Sequence, residues 1–515
     1  MSRRGLAIGI LALWVVLLSW HVRREYFEPE LTRLAEATLT LAPGTYFYAL
    51  RMGDQTIGIS SSRLDTIPEG FLLEDQMNLD LQAMGQPGAV TVLTQVVLAP
   101  TLTMREFSFS LSSTAGDIQA SGTVQGDSLL RVTIEGVGGP ETLDFRLTEA
   151  PLLASALPIR LAKGGELREG RQLRFPVFDP SSVSIRTVEV DVLERGILTL
   201  PDSAIVDEVS GVWRAASSSE VPAWRLRETY GGISLESWID EDGRVIRSSS
   251  AMGFSIERTA YELAIQDRDA AVLAAGQGAV GSDLILSTAI ASNVDLGEVT
   301  EYDELRFHLS GVDLSGFHLD GGRQELRGDT LVVRREEWGA LEPGYTLPYP
   351  RMDLREALEP EPLIQSGDPG LVDVARTLGG VRGFGGANPR TVAQRLHEAV
   401  FSSLEKTVSF TLPSALQVLE TMRGDCNEHT VLYVALARAV GLPARVAVGL
   451  VYLEGSFYYH AWPEVWLGEW VAVDPTLGQL PADAAHLRFM TGNLAQQVEI
   501  ARLIGTLRIE VLDRT

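Results

Sequence analysis

The sequence contains one cysteine, Cys426, in 515 residues. A single thiol cannot form a disulfide within the chain and cannot build a thiolate-rich zinc site. Histidine is also scarce: there are seven, and no His-Glu-x-x-His motif, so we predict neither a metal ion nor a cofactor. Basic residues number 43 against 68 acidic ones, and the resulting net charge of −25 argues against nucleic acid as a partner.

The composition that remains is typical of a folded protein with several domains. Hydrophobic residues make up 45% of the chain and charged residues 22%. A chain of 515 residues is too long for a single hydrophobic core, so roughly two to four domains are expected. We therefore predict a multidomain α+β protein.

Apolar patterning suggests where these domains lie. Alternating or β-branched runs separated by Gly, Asp and Pro turns predict a large antiparallel β region over residues 40–265 and a small β module over residues 270–345. The large region is interpreted as a spacer, although a curved sheet could also hold a lipid or peptide. A proline-containing linker at residues 348–369 precedes helical patterns, which predict an α+β domain over residues 370–515.

The N-terminus carries a short apolar segment flanked by arginines. Residues 5–20 are apolar or small, slightly fewer than the about 17–25 that a spanning helix needs. A cleaved signal peptide is the alternative, but Ser19-Trp20-His21 is a poor cleavage site; a buried helix is another. We predict an uncleaved signal-anchor transmembrane helix at residues 1–24. The protein would then be single-pass in the membrane, with its body extracytoplasmic, in the periplasm or at the cell surface.

Cys426 stands at a predicted helix start. Asp425 followed three residues later by Glu428 forms a capping box, which makes Cys426 the first helical residue. A thiol at this position lies near the positive end of the helix dipole, which predicts a lowered pKa. Its backbone N–H could also bind an oxyanion. Taken alone, a free cysteine is more often a small buried apolar residue.

His460 and Asp474 fall on a predicted β-hairpin formed by residues 457–462 and 469–474. The hairpin would return Asp474 to the end of the sheet where His460 lies. A two-residue turn at Gly468 would place Asp474 opposite Pro463 instead, whereas a longer loop or a bulge would close the gap. Cysteine, histidine and aspartate are the residue types that a thiol nucleophile, its base and its orienting carboxylate require.

The stretch from about residue 412 to residue 479 resembles the transglutaminase-like superfamily, a papain-related group of thiol enzymes. The matching segments are residues 424–426, 437–446, 460–466 and 470–476. The resemblance implies that Cys426 is the nucleophile, His460 the general base and acid, and Asp474 the residue that holds the imidazole. It further implies supporting roles for Trp462, Glu464 and Arg445.

Two functions follow as hypotheses. In the first, the chain is a membrane-anchored, exported thiol enzyme that cleaves or transfers peptide or protein amide acyl groups through a thioester. Hydrolysis and transamidation both remain open, with hydrolysis favoured. In the second, the papain-like domain is a non-catalytic binding or assembly module. The intact triad favours the enzyme, because docking has no need of an activated thiol.

Overall fold

The structure is a computed structural model. It describes residues 30–83, 86–113, 116–126, 128–135, 139–180, 183–230, 233–250, 253–276, 288–381, 386–407, 414–492 and 498–514. The predicted anchor at residues 1–24 lies outside this part of the chain. Among the helices that the structure describes, none combines the length and the apolar character needed to span a membrane.

A large β-sheet dominates the N-terminal half. Within the described residues, fifteen strands belong to it. They are β1 (Gly44–Met52), β2 (Gln55–Ile67), β3 (Gly70–Ala83), β4 (Gln86–Leu98), β5 (Met104–Ser113), β6 (Gly116–Gln125), β7 (Leu129–Glu135), β8 (Glu141–Arg146), β9 (Leu152–Leu153), β10 (Gln172–Asp179), β11 (Ser184–Val206), β12 (Trp213–Tyr230), β13 (Ile233–Asp240), β14 (Val245–Ser250) and β15 (Phe254–Thr259). The predicted large antiparallel sheet is confirmed.

The sheet is two meanders joined edge to edge. Strands β1 to β8 pair in chain order, β9 to β15 do the same, and β1 pairs with β15 to link the two runs. All pairs are antiparallel except β9 with β10. Alternating burial along strands such as β6 directs every second side chain into the core. Helices α1 (Glu30–Thr38) and α2 (Leu157–Lys163) contribute Leu34 and Ile159 to the core cluster that contains Phe107 and Phe178.

A second sheet joins distant parts of the sequence. Strands β17 (Glu304–Ser310), β18 (Gln324–Arg327) and β19 (Thr330–Arg334) fall where the small β module is predicted. Their sheet, in the order β18-β19-β17-β26, is completed by β26 (Arg508–Arg514). Leu305 and Phe307 of β17 share one core cluster with Leu450 and Phe489 of the sheet that follows. The module is thus packed against the C-terminal region.

The C-terminal region combines helices with a third sheet, which confirms the predicted α+β class. Its strands are β16 (Ile290–Ala291), β22 (Ala444–Leu453), β23 (Ser456–Trp466), β24 (Trp470–Ala472) and β25 (His486–Thr491), in the order β16-β23-β22-β25 with β24 paired to β23. A short parallel pair, β20 (Glu405–Lys406) and β21 (Arg423–Gly424), stands apart. The described helices of this region are α4 (Pro369–Gly379), α5 (Pro389–Ser403), α6 (Ala415–Thr421) and α7 (Cys426–Ala439). Helix α3 (Tyr261–Gly276) precedes the region in the chain.

Helix α7 is the centre of this region. Its middle residues, among them Tyr433 and Leu436, are fully buried. This explains why its sequence is apolar on every face and not only on one stripe. Helices α4, α5 and α6 contact α7, and strands β22 and β23 contact it as well. The first residue of α7, Cys426, therefore lies at the end of a rigid, enclosed element.

Candidate active site

The turn before Cys426 has the predicted capping box. The Asp425 carboxylate accepts a hydrogen bond from the backbone N–H of Asn427 at 2.9 Å, and the Glu428 carboxylate accepts one from the N–H of Asp425 at 2.9 Å. A Cβ at Gly424 would lie 2.3 Å from the Cβ of Glu428, so only glycine fits there. The box occupies the second and third N–H groups of the helix, which leaves the N–H of Cys426 as the first-turn donor outside it.

A three-residue loop sets the register of the hairpin that carries His460. Trp466 pairs with Trp470, and Glu464 pairs with Ala472. Asp474 therefore comes level with Trp462, on the same face of the sheet as His460. A two-residue turn would have reversed this, because a shift by one residue moves every side chain to the opposite face. Of the alternatives that the sequence left open, the structure has the longer loop.

Asp474 is fully buried and holds His460 through one carboxylate oxygen. The His460 Nε2 to Asp474 Oδ2 distance is 2.7 Å. The other oxygen, Oδ1, accepts the backbone N–H groups of Thr476 at 2.7 Å and Leu477 at 3.0 Å. Both oxygens are thus fixed by donors, and the His460 ring is fixed in turn. The structure brings together all three residues that the sequence singled out.

The Cys426 thiol interacts with the His460 side chain and with the backbone N–H of Ala461, and both lower its pKa. Because His460 Nε2 is bound to Asp474, the ring nitrogen that faces the thiol is Nδ1. Cys426 remains partly exposed at the molecular surface. The three side chains form a continuous series of interactions from the Cys426 thiol to a buried carboxylate.

The charges of the site follow from burial and from these contacts. Burial raises the pKa of the Cys426 thiol and the neighbouring Asp425 adds to this, while His460 and the Ala461 N–H lower it without reversing the direction. The lowered thiol pKa predicted from the helix start is therefore wrong, because that prediction omitted the loss of solvent. Burial lowers the pKa of His460, but Asp474 and Cys426 outweigh it and raise that pKa to about 9.

The carboxylate of Asp474 stays ionised. Burial would raise its pKa, but His460 and His486 hold that pKa well below its ordinary value. At neutral pH the arrangement is an imidazolium between a carboxylate and a thiol. Loss of one proton from the thiol and imidazole pair creates either a thiolate or a neutral base in contact with the thiol.

Sequence reasoning missed His486, a second histidine on the same carboxylate. Its Nε2 lies 3.0 Å from Asp474 Oδ2 and its Nδ1 lies 2.9 Å from Asp483 Oδ1. A third histidine, His397 of α5, lies with its Nε2 3.1 Å from the backbone carbonyl oxygen of Asp474. The sequence signal that could have identified His486 was its spacing from Asp483: two polar residues, three positions apart, at the start of the apolar strand β25.

A buried ion network supports the histidine strand from the side. Glu464, 1% exposed, accepts two hydrogen bonds from Arg445, at 2.6 and 2.8 Å, and one from Arg488 at 3.1 Å. The rings of His460 and Trp462 stack at 6.1 Å between centroids. Glu464, Arg445 and Trp462 thus pack beside the site and do not contact the thiol through any of these bonds.

One group among the described residues has the spacing of a metal site. The ligand atoms of His460, Asp474 and His486 lie within 4.8 Å of one another. However, Asp474 Oδ2 is already within 2.7 and 3.0 Å of the two ring nitrogens. Ligand atoms about 2.0–2.2 Å from a tetrahedral ion would stand farther apart than that. The donor set fits hydrogen bonding better than coordination.

Residues 381–475 match the family model of the Transglutaminase-like superfamily. The C-terminal part of the chain therefore carries a transglutaminase-like domain, as the sequence motifs predicted. Comparison with curated proteins gives no match for this chain.

Three solved structures are similar to parts of the chain. One is a candidate cysteine protease from Cytophaga hutchinsonii, 17% identical, covering 42% of this chain and 84% of its own, with a TM-score of 0.28. Another is the periplasmic domain of TgpA from Pseudomonas aeruginosa bound to ethylmercury, 20% identical over 35% of this chain and 74% of its own, with a TM-score of 0.22. The third is a beta-barrel-like protein from Brucella abortus, 14% identical over 42% of this chain and 95% of its own, with a TM-score of 0.32.

Proposed function

We propose that this chain is a thiol enzyme that cleaves or transfers acyl groups from peptide or protein amides, with Cys426, His460 and Asp474 as its catalytic triad. The observation that carries the proposal is the unbroken contact chain from the Cys426 thiol through His460 to Asp474. An arrangement in which a base is hydrogen-bonded to an orienting carboxylate and interacts with a thiol nucleophile is the signature of covalent acyl transfer.

In the proposed reaction, the pair first loses one proton so that His460 can accept the proton of the Cys426 thiol. The sulfur then attacks the amide carbonyl, and the N–H of Cys426 donates to the oxyanion that forms. His460 returns its proton to the leaving amine as the C–N bond breaks, which leaves a thioester on Cys426. Water then attacks with His460 as base, or a second amine does; the first route is hydrolysis and the second is transamidation.

A docking module that retains the domain without chemistry is the second candidate. The large N-terminal sheet favours it, because that sheet exceeds the transglutaminase-like domain in size. The buried pair of Asp474 and His460 favours the enzyme instead. Burying Asp474 and His460 is costly unless they pair, and a surface used only for docking gains nothing from them. We favour the enzyme, with hydrolysis as its main outcome.

The remaining assignments rest on sequence patterns. We propose that residues 1–24 hold the chain in the membrane as a single span, with the body on the extracytoplasmic side and no role in nucleic-acid binding. Limited proteolysis of intact spheroplasts tests the orientation. Degradation of the body is expected, and a body that is shielded until the cells are lysed contradicts the proposal.

An activated ester tests the chemistry before the natural substrate is known. The full chain in detergent is mixed with p-nitrophenyl acetate, and acetylation of Cys426 is followed by mass spectrometry. We expect acetyl transfer to Cys426, none in Cys426→Ala, and a decrease of about 10²–10⁴-fold in His460→Ala because the general base is lost. Equal acetylation rates with and without His460 would exclude the triad and favour the docking module.

The same experiment separates the two outcomes of the thioester. Adding glycinamide offers a second acyl acceptor that competes with water. Release of acetate in excess of acetylglycinamide supports hydrolysis as the main reaction. The opposite ratio, maintained at low amine concentration, would identify the chain as a transferase.

A further inference from the structure

His486 lies on β25 between two carboxylates. Its side chain is completely buried, with Nδ1 at 2.9 Å from Asp483 Oδ1 and Nε2 at 3.0 Å from Asp474 Oδ2. A neutral imidazole has one N–H and one lone pair, so it could donate to only one of these oxygens. The other nitrogen would then direct its lone pair at an anion. Contact with two ionised carboxylates requires that both nitrogens carry protons.

Both carboxylates are themselves ionised, because donors occupy their oxygens. Asp483 Oδ1 also accepts the backbone N–H of Ala485 at 2.9 Å, and its Oδ2 accepts the Gln479 amide at 2.8 Å. Asp474 accepts two backbone N–H groups on Oδ1 and the His460 ring on Oδ2. Neither carboxylate has an oxygen left for a proton of its own. His486 is therefore the partner that carries the extra proton.

We propose that His486 is a positioning residue of this site: a buried imidazolium that shares Asp474 Oδ2 with His460 and limits how strongly Asp474 retains the proton of His460. The inference rests on the proposed acyl-transfer function. A carboxylate that faced His460 alone would stabilise the imidazolium more, so His460 would lose its proton and become a base only at higher pH. The positive charge of His486 offsets part of this field and also fixes the orientation of the carboxylate.

The other groups around His486 leave this balance unchanged. His397 hydrogen-bonds to the backbone carbonyl of Asp474 and not to its carboxylate, and burial lowers its pKa, so it contributes no charge at neutral pH. Arg323 donates to the carbonyls of Ala482 and Asp483 and lies 3.6 Å from Glu336, and it makes no hydrogen bond to either carboxylate of the cluster. The charged groups that face the cluster from other elements are Arg323 and Glu336 near β18 and β19, Glu464 on β23, and Arg488 on β25, which pairs with Glu464.

The charge of His486 follows from burial and from its two carboxylate neighbours. Burial lowers the pKa of His486, but Asp483 and Asp474 outweigh it and raise that pKa to about 9. The pKa of Asp483 is lowered, with His486 as the main cause acting against burial. Two carboxylates and two imidazolium ions thus form one compact, neutral cluster at neutral pH.

The test is the pH dependence of Cys426 alkylation by iodoacetamide in the full chain. Since Cys426 is the only cysteine, the label reports this site alone. In His486→Gln a positive charge is lost, so every proton in the cluster binds more tightly and the alkylation midpoint moves to higher pH. A shift of one pH unit would make labelling about tenfold slower on the acid side of the midpoint.

Two further variants separate charge from packing. His486→Gln combined with Asp483→Asn removes one positive and one negative charge together, so the midpoint should return towards the wild-type value. His308→Gln is the matched control, because His308 is also beside a carboxylate, Asp329 at 3.4 Å, but on the distant strand β17. It should leave the midpoint unchanged.

The outcomes distinguish this inference from the function on which it rests. A His486→Gln midpoint equal to wild type, or a uniform slowing with no change of midpoint, overturns the positioning role. A double variant with a midpoint as high as the single variant overturns the charge argument as well. By contrast, an alkylation rate that is indifferent to His460→Ala contradicts the triad itself, whatever His486 does.

Discussion

Replacing Asp474 by asparagine changes one oxygen to an NH₂ group with almost no change in volume. The remaining oxygen would keep the N–H groups of Thr476 and Leu477, because those two donors are fixed by the backbone. The new NH₂ group then faces Nε2 of His460, which must become an acceptor. The ring proton moves to Nδ1, the nitrogen that faces Cys426, and His460 can no longer take the proton of the thiol.

The size of the effect follows from the structure. His460 has a pKa of about 9 against an ordinary value of 6.5, and Asp474 is the main cause acting against burial. At about 1.36 kcal/mol per pKa unit, this stabilises the imidazolium by about 3 kcal/mol. Without Asp474, the main influence that opposes burial is lost and the pKa of His460 falls. With the wrong tautomer added, we expect acetylation of Cys426 to slow by about 10²–10⁴-fold.

The assay is the single-turnover rate of Cys426 acetylation by p-nitrophenyl acetate in the full chain. Asp207→Asn is the matched control, because that carboxylate also accepts two backbone N–H groups, from Val209 and Ser210, and contacts no histidine. It should react like wild type. A loss of less than tenfold in Asp474→Asn would refute the argument that this carboxylate selects the tautomer of His460.

Three further predictions concern stability. The pKa values of His460 and His486 are raised to about 9 from an ordinary 6.5, so their contribution to stability is complete below about pH 6.5 and is lost as the pH rises through 9. Urea unfolding should show a decrease on the order of 3 kcal/mol for each histidine, and a flat profile would contradict it. Glu464→Gln leaves the buried Arg488 without its anion and should lower the free energy of unfolding in urea by about 3–5 kcal/mol. Arg445→Gln removes the more exposed arginine that binds Glu464 and should cost less. Equal costs would contradict this reasoning. Gly424→Ala places a Cβ 2.3 Å from a capping side chain and should lower the free energy of unfolding by about 0.5–2 kcal/mol, as loss of the cap would; an unchanged thermal midpoint would show that the turn adapts.

Local signals in the sequence predicted most of what is local in the structure. The capping box of Asp425 and Glu428 spans four residues, and its geometry follows from side-chain chemistry that needs no distant partner. In the structure, the N-caps Asp368 and Asn388 are equally local, since each is followed by proline at the first helical position. Strand patterns likewise indicated a large antiparallel sheet.

Features that depend on distant packing could not be read in this way. The pairing of β1 with β15 joins residues about 200 positions apart, and alternation along a strand does not say which strand lies beside it. The direction of the Cys426 pKa depends on how much protein surrounds the sulfur, which is a property of the assembled domain. His486 was missed for the same reason, because its partner Asp474 is brought to it only by the path of the chain between them.

The pairing of β17 with β26 has a consequence for the timing of synthesis. Residues 304–310 are made about 200 residues before their partner strand at 508–514. At about 5–20 residues per second, that interval is on the order of 10–40 s. His486, whose strand shares a core cluster with both of these strands, also emerges late. The growing chain thus carries Cys426 for some time before β26 completes the sheet that packs against the domain around it.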